Sequence, residues 1–216
     1  LLVLTNYLLL SGLIITLATL FVSNELYRNA LYMWAIMPPA VAVISLTSLL
    51  KGDVSTSLVA EVSAYLLGLI IIPTASWFLF KDIVSPWKIF EITFLLIIIP
   101  YFLSRGLHFY EKVRKPISNL FTKSVVSTTL AVGFFIIIGI NRDVFFQDFS
   151  TLATILSILL LCNFGLGSAI YFILKKHKVK KPLRNVFVLF GTYKNTGLAV
   201  AMVILFFGVE AAVPQG

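Results

Sequence analysis

Apolar stretches of about 20 residues recur along the chain and are separated by short polar breaks. As an α-helix, a stretch of this length crosses the roughly 30 Å hydrocarbon layer of a bilayer. The polar and apolar residues do not alternate as they do in transmembrane β-strands. The pattern therefore predicts an all-α integral membrane protein with about seven spans. The predicted spans cover about residues 1–22, 26–50, 55–80, 87–107, 117–140, 152–174 and 183–207.

Composition supports the same class. The 216 residues are 59% hydrophobic and 12% charged, whereas soluble domains carry about 25% charged residues. The net charge of +8 comes from short runs between the spans and does not indicate a nucleic-acid partner. The single cysteine, Cys162, lies inside an apolar span, so no disulfide, metal cluster or cofactor is predicted.

The basic loops predict an orientation. The loop 175–184 contains six lysine and arginine residues and no acid, and the loop 105–115 is also basic. Short loops rich in lysine and arginine stay in the cytoplasm. Two predicted spans separate these loops, which puts both on the same side of the membrane. The sequence thus predicts a multi-pass cell-membrane protein in which both loops are cytoplasmic.

Two of the predicted spans are interrupted. Pro38 and Pro39 stand inside the second span, and the polar segment 191–197 stands inside the seventh. Prolines remove backbone donors, and in lipid such a break persists only inside protein or along a cavity. The proline pair alone is equally typical of a simple kink. Two interrupted spans at corresponding positions, an odd number of spans apart, favour a secondary transporter with inverted repeats.

Three segments resemble the bile acid:sodium symporter family, within the bile/arsenite/riboflavin transporter superfamily. Residues 35–53, with the proline pair and a closing Lys-Gly-Asp turn, are similar to the family's fourth helix. Residues 161–167, which include Asn163, resemble the eighth helix, and residues 193–199 resemble the ninth-helix motif. The resemblance implies that the chain covers helices three to nine of a ten-helix parent.

The resemblance also implies the architecture and the activity. It implies two crossed discontinuous helices, with core and panel domains. Residues 1–80 and 146–216 would form the core helices of the first and second repeats, and residues 81–145 the panel. The C-terminal helix would be missing. The implied activity is secondary active transport, symporter-like, of a small organic and anionic solute by alternating access.

Departures from the family motif concern the coupling ion. In sodium-coupled members, oxygen ligands near the crossing hold two sodium ions. The family's ninth-helix carboxylate and glutamine fall at Phe190 and Lys194, and its fourth-helix Ser-Asn pair falls at residues 43–44. These positions lack side-chain oxygens here, and Lys194 brings its own cation. We therefore expect transport that does not require sodium, coupled to a proton or to no ion. Sodium binding by the remaining oxygens is the alternative.

Two of the charged residues inside predicted spans are candidates for the binding site. Glu61 shares a helix face with Ser57 and Tyr65, and Lys194 lies in the second break. Intramembrane charges cost at least about 2.5–3.5 kcal/mol and are normally paired inside the protein. We expect Lys194 to have Glu61 as its counter-charge near the crossing. The alternative is an interfacial Glu61 and a Lys194 that reaches the interface along its stem.

The predicted site binds a solute or ion and has no catalytic residue. An intramembrane enzyme would need paired carboxylates, an HExxH helix or a nucleophile beside a base, and the predicted spans contain none of these. A channel or an intramembrane enzyme remains the alternative function. The predicted binding residues are Pro38, Pro39, Ser45, Ser57, Glu61, Asn163, Lys194, Asn195, Thr196 and Gly197.

Overall fold

The computed structural model describes residues 1–80, 83–109 and 149–215, with isolated positions between residues 128 and 142. Within these ranges the chain is helical and contains no strand. The predicted fifth span lies outside the described residues apart from those isolated positions. Residues 110–115 of the first basic loop also lie outside the described residues. All the other predicted spans fall inside the described ranges.

Each described span is either one long helix or a pair of short helices. The first four spans comprise α1 (Leu2–Phe21), α2 (Glu25–Ile36), α3 (Ala42–Leu49), α4 (Val54–Phe80) and α5 (Pro86–Phe109). The last two comprise α6 (Phe149–Lys176), α7 (Lys181–Phe190) and α8 (Thr196–Phe207), and a 3₁₀ helix (Val209–Gln215) follows. Single π-helical segments occur inside α1 at Thr5–Leu10 and inside α6 at Leu161–Gly165.

The membrane class is confirmed by three of these helices. Among the described residues, α1, α4 and α6 are long and apolar enough to cross a bilayer. The second predicted span is divided into α2 and α3, and the seventh into α7 and α8. Both divisions fall at the predicted positions, beside Pro38 and beside Asn195. The protein is therefore an all-α membrane protein with two interrupted spans.

Polar side chains cap the amino ends of α2 and α4. The Asn24 side chain accepts a hydrogen bond from the Leu26 backbone N–H at 2.9 Å and so caps α2. Asp53 caps α4 by accepting from the backbone and the hydroxyl of Thr56, at 3.0 and 2.7 Å. These hydrogen bonds from Thr56 hold the pKa of Asp53 below its usual value. An ionised cap at this position also complements the positive end of the helix dipole.

The α2 helix is the innermost element of the described bundle. All residues from Met33 to Met37 are buried, and α2 packs against α1, α4, α8 and the 3₁₀ helix. Burial of five consecutive residues means that the last turn of α2 is surrounded by protein on every side. A smaller apolar cluster, which includes Leu2, Val43 and Phe190, joins α1, α3 and α7. The first break thus lies between the apolar core around α2 and this smaller cluster.

The turn after α3 docks on the start of α7. The Asn185 side chain donates to the Leu50 carbonyl at 2.9 Å, and the Asp53 backbone N–H donates to the Pro182 carbonyl at 3.3 Å. The Gly52 backbone N–H donates back to the Thr47 carbonyl at 2.8 Å and closes the turn. The Lys-Gly-Asp turn and the basic loop 175–184 therefore lie at the same end of the bundle.

Close packing at the second break gives a first testable prediction. A Cβ added to Gly191 would overlap the Ile170 side chain and would stand 3.1 Å from the Thr5 side chain and from the Phe187 carbonyl. We expect Gly191→Ala to lower the free energy of unfolding by about 1–3 kcal/mol, because α1 and α6 must move apart. Gly12→Ala is the matched control, since no atom lies within 4 Å of its added Cβ. Denaturant unfolding in detergent that finds the two variants equally stable would contradict the packing.

Candidate functional site at the two helix breaks

The two breaks contact each other directly through their backbones. The backbone N–H of Asn195 donates to the carbonyl of Pro38 at 2.8 Å. The hydroxyl of Tyr65 donates to the Pro39 carbonyl at 3.3 Å and accepts from the Asn195 side-chain amide. The other side-chain atom of Asn195, Oδ1, caps α8 by accepting from the Leu198 N–H at 2.9 Å. The backbone groups that the breaks free thus find partners inside the protein, as lipid requires.

The side chain of Lys194 lies in an oxygen cage at this crossing. Its Nζ donates to Asn6 Oδ1 at 2.8 Å, to Ser11 Oγ at 2.9 Å and to the Met37 carbonyl at 2.8 Å. The ring of Tyr7 lies 4.8 Å from Nζ and adds a cation–π contact. Only 2% of the residue is exposed. The cage therefore joins α1 to both breaks through one buried nitrogen.

The other hydrogen bonds of the cage residues are those that a charged amine at this position would need. The Ser11 hydroxyl lies 2.6 Å from the Ala35 carbonyl, which takes its only proton. The Asn6 amide nitrogen donates to the carbonyls of Phe190 at 2.7 Å and Tyr193 at 3.1 Å, which leaves Oδ1 facing Lys194. All three cage oxygens are thus acceptors. Three acceptors require three N–H protons, and only the charged amine has three.

The predicted pairing of Lys194 with Glu61 is wrong in this conformation. The described residues contain no ion pair at Glu61, and both of its buried carboxylate oxygens lack a hydrogen-bond partner there. The reason is that neutral oxygens take all three ammonium protons. Tyr7 also connects the cage to α4, because its hydroxyl donates to the Ala64 carbonyl at 3.0 Å. Both side chains are buried inside the protein, and the Lys194 amine ends in the cage rather than at the protein surface.

A double-mutant cycle tests whether the two charged residues are independent. We expect the effects of Lys194→Ala and Glu61→Gln on unfolding free energy to add within about 0.5 kcal/mol, because the side chains share no contact. Unfolding of both single variants and the double variant in the same detergent measures the coupling. A double variant more stable, by over 1 kcal/mol, than the sum of the two single effects predicts would restore the direct pair.

The remaining predicted binding residues divide into near and distant groups. Thr196 and Gly197 are the first residues of α8 and adjoin the crossing. Ser57 is fully buried one turn before Glu61 and accepts a hydrogen bond from Thr47 at 3.1 Å. Two others are not brought to the crossing. Ser45 is on the exposed face of α3, and Asn163 donates to Leu159 within its own helix, at 2.8 Å.

Sequence reasoning missed the residues of α1 that complete the cage. Asn6 is fully buried, and Ser11 and Tyr7 are almost so, although all three lie in a span with strongly apolar neighbours. A polar residue inside a span is normally buried for a reason, which is the signal that identifies Asn6 and Ser11. Phe190 and Val43, where the resemblance would place ion ligands, are buried in the apolar cluster and offer no side-chain oxygen.

A helical membrane protein whose interrupted spans join around a buried cation has the architecture of a membrane transporter. The model of the sodium bile acid symporter family matches residues 2–148, and the chain belongs to this family of sodium-coupled transporters. Its members are transporters rather than enzymes. The matched stretch includes the first break and Glu61 and ends before Lys194. A search of curated proteins found no match.

Proposed function

We propose that the protein is a secondary active transporter that moves a small organic anion across the membrane by alternating access. The observation that supports this most directly is the hydrogen bond from Asn195 to Pro38, which joins the two interrupted helices. Discontinuous helices that meet inside the protein create a polar centre within the bilayer. Transporters of this kind bind their substrates and coupling ions at such centres.

An internal repeat supports the inverted architecture. The two halves align without a gap at an offset of 157 positions, the separation of Met37 and Lys194. At this offset, Asn6 and Ser11 correspond to Asn163 and Ser168. Each half then consists of a long helix with a π-helical segment, a short helix, a break and a second short helix. The breaks lie in the second and the seventh predicted spans, five spans apart, so the halves would cross the membrane in opposite directions.

The contacts at the crossing join residues that are equivalent in this repeat. Met37 corresponds to Lys194 and Pro38 corresponds to Asn195. The carbonyls of Met37 and Pro38 accept hydrogen bonds from Lys194 and Asn195, at 2.8 Å each. Residues that contact their own equivalents lie on a two-fold axis. The crossing is therefore the centre of the proposed repeat, where a transported solute meets both halves.

The Lys194 ammonium takes the role of one bound sodium ion in this proposal. It has three oxygen neighbours and an aromatic face, the surroundings of a small cation, and its stem ties it to the second break. A fixed cation of this kind holds the two breaks together without an ion from solution. Transport by this chain then does not require sodium at the crossing, unlike transport by sodium-coupled relatives.

The charge at the crossing favours an anionic solute. Lys194 has no acidic partner among the described residues, so its positive charge is not neutralised by a direct contact. The amino ends of α3 and α8 begin at the two breaks and add the positive ends of their dipoles. An anion bound here would face all three positive features. Bile acids, after which the family is named, are therefore suitable first probes.

The domain assignment and the orientation form part of the same proposal. Residues 1–80 and 146–216 form the core, residues 81–145 form the panel, and the basic loops face the cytoplasm. The joined ends of α3 and α7 would then both be cytoplasmic. A membrane-impermeant thiol reagent added outside intact cells should fail to label Lys178→Cys. Labelling from outside would reverse the orientation.

Counterflow in liposomes tests the transport proposal. Vesicles containing purified protein and an unlabelled bile acid should accumulate external labelled bile acid transiently above equilibrium. A carrier exchanges solute in this way because one site faces the two sides in turn, whereas a channel or an enzyme does not. Empty liposomes are the control. Uptake that only equilibrates would favour a channel, and absence of uptake for a panel of organic anions would remove the proposed substrate class.

A further inference from the structure

Glu61 is the buried charged group that the proposed mechanism does not use. It is 5% exposed on the inner face of α4, with Ser57 one turn before it and Ala64 almost one turn after it. Neither carboxylate oxygen has a hydrogen-bond donor among the described residues. The neighbouring Ser57 is engaged with Thr47, and Tyr7 donates to the Ala64 carbonyl instead.

No cation is hydrogen-bonded to Glu61 among the described residues, and the charged residues of the neighbouring α5, Lys88, Glu91 and Arg105, are exposed. The α3 helix contains no ionisable residue, and the inner face of α7 contributes Val186, Leu189 and Phe190. The ionisable groups closest in the fold are the phenols of Tyr7 on α1 and Tyr65 on α4. Lys194 lies across Tyr7 and is fully used by its cage. At the cytoplasmic end of α7, Arg184 stacks on Tyr171 at 4.5 Å.

An ionised carboxylate in these surroundings would be strongly unfavourable. Removing an ion from water costs several kcal/mol even after relaxation, and here no donor or opposite charge compensates for that cost. Protonation removes the charge and leaves a neutral acid that an apolar interior tolerates far better. We propose that Glu61 binds a proton in this conformation and is the proton-coupling site of the transporter.

The coupling part of this proposal rests on the proposed transport function. In the described conformation the Glu61 side chain is almost fully buried, and α1, α3 and α7 are among the helices that pack against α4. A change of conformation that admits water to this face of α4 stabilises the ionised form, and the proton leaves. The proton then binds on one side and is released on the other, as alternating access requires. The Lys194 amine is hydrogen-bonded inside its own cage, so the two groups have separate roles.

Infrared spectroscopy of the whole chain in lipid nanodiscs tests whether Glu61 holds a proton. At neutral pH we expect a protonated-carboxyl C=O band that is present in the wild type and lost in Glu61→Gln. Glu25→Gln is the matched control, because Glu25 is exposed and should leave the band unchanged. A wild type without the band would overturn the proposal, as would a Glu61→Gln variant that keeps it. A folding defect would show separately in the amide bands.

Two further measurements distinguish a proton from a metal ion at Glu61, and proton binding from transport. Exchange of choline chloride for sodium chloride should leave the carboxyl band in place, and loss of the band in sodium would identify a metal-ion site and overturn the proposal. In liposomes, net bile acid uptake should move protons, as reported by a trapped pH dye. Counterflow without proton movement would refute coupling at Glu61. Failure of counterflow with the band intact would refute the transport proposal and leave proton binding supported.

Discussion

Lys194→Ala should lower the free energy of unfolding by about 3 kcal/mol or more. The substitution leaves Asn6 Oδ1, Ser11 Oγ and the Met37 carbonyl without a donor in an interior that excludes water. Each unpaired buried acceptor costs about 1–3 kcal/mol, and the vacated stem leaves a cavity. Lys176→Ala is the matched control, because Lys176 is exposed at the end of α6 and should change stability by less than about 0.5 kcal/mol.

A second variant at the same position separates charge from volume. Lys194→Met keeps most of the apolar stem and removes the three N–H donors. We expect Lys194→Met to recover the cavity part of the loss and to retain the hydrogen-bond part. Unfolding in detergent, followed by tryptophan fluorescence, measures all three variants. Stability losses for Lys194→Ala and Lys194→Met that match the small effect of Lys176→Ala would show that the amine lies outside the cage.

Asn6→Ala should be nearly as damaging, with an expected loss of about 2–4 kcal/mol. Asn6 is the residue that connects α1 to the second break, because it accepts from Lys194 and donates to the Phe190 and Tyr193 carbonyls. Its removal leaves one ammonium proton and two carbonyls without these partners, at about 1–3 kcal/mol for each buried unpaired group. Part of this loss is recovered if water enters the space.

The repeat provides the matched control for Asn6. In the proposed repeat Asn163 is the equivalent of Asn6, but it is only partly buried and its described hydrogen bond stays within α6. Asn163→Ala should therefore cost well under half as much as Asn6→Ala. Thermal unfolding of the two variants in the same detergent makes the comparison. Equal losses would mean that the cage contacts of Asn6 contribute little and that both asparagines serve only their own helices.

The fold follows closely from local features of the sequence. The length and apolar content of a span are visible in consecutive residues of the sequence. The predicted spans therefore match α1, α4 and α6. The breaks are also local, since prolines end α2 and a Gly-Thr-Tyr-Lys-Asn segment ends α7. The predicted proximity of Pro38 and Asn195 is confirmed by their hydrogen bond.

The site was less predictable because its partners are distant in sequence. Lys194 and Glu61 look like a pair when only charges are compared, since nothing in the sequence reveals that Asn6, 188 positions earlier, reaches the ammonium first. The π-helical segment of α1 contains Asn6 and Tyr7 and extends towards Ser11. A π segment shifts the angular positions of the residues around it, so ordinary helix periodicity does not place these side chains.

The central claim is that the Lys194 ammonium fills a cation site that sodium would otherwise occupy. Thermal unfolding in sodium chloride and in choline chloride, for wild type and Lys194→Ala, tests it most directly. Sodium should leave the wild type unchanged and stabilise Lys194→Ala, because the freed oxygens of Asn6, Ser11 and Met37 accept the ion. At a sodium concentration about 100 times the dissociation constant, the ion should stabilise Lys194→Ala by about 2.7 kcal/mol. Sodium stabilisation of the wild type, equal to that of Lys194→Ala, would contradict the account.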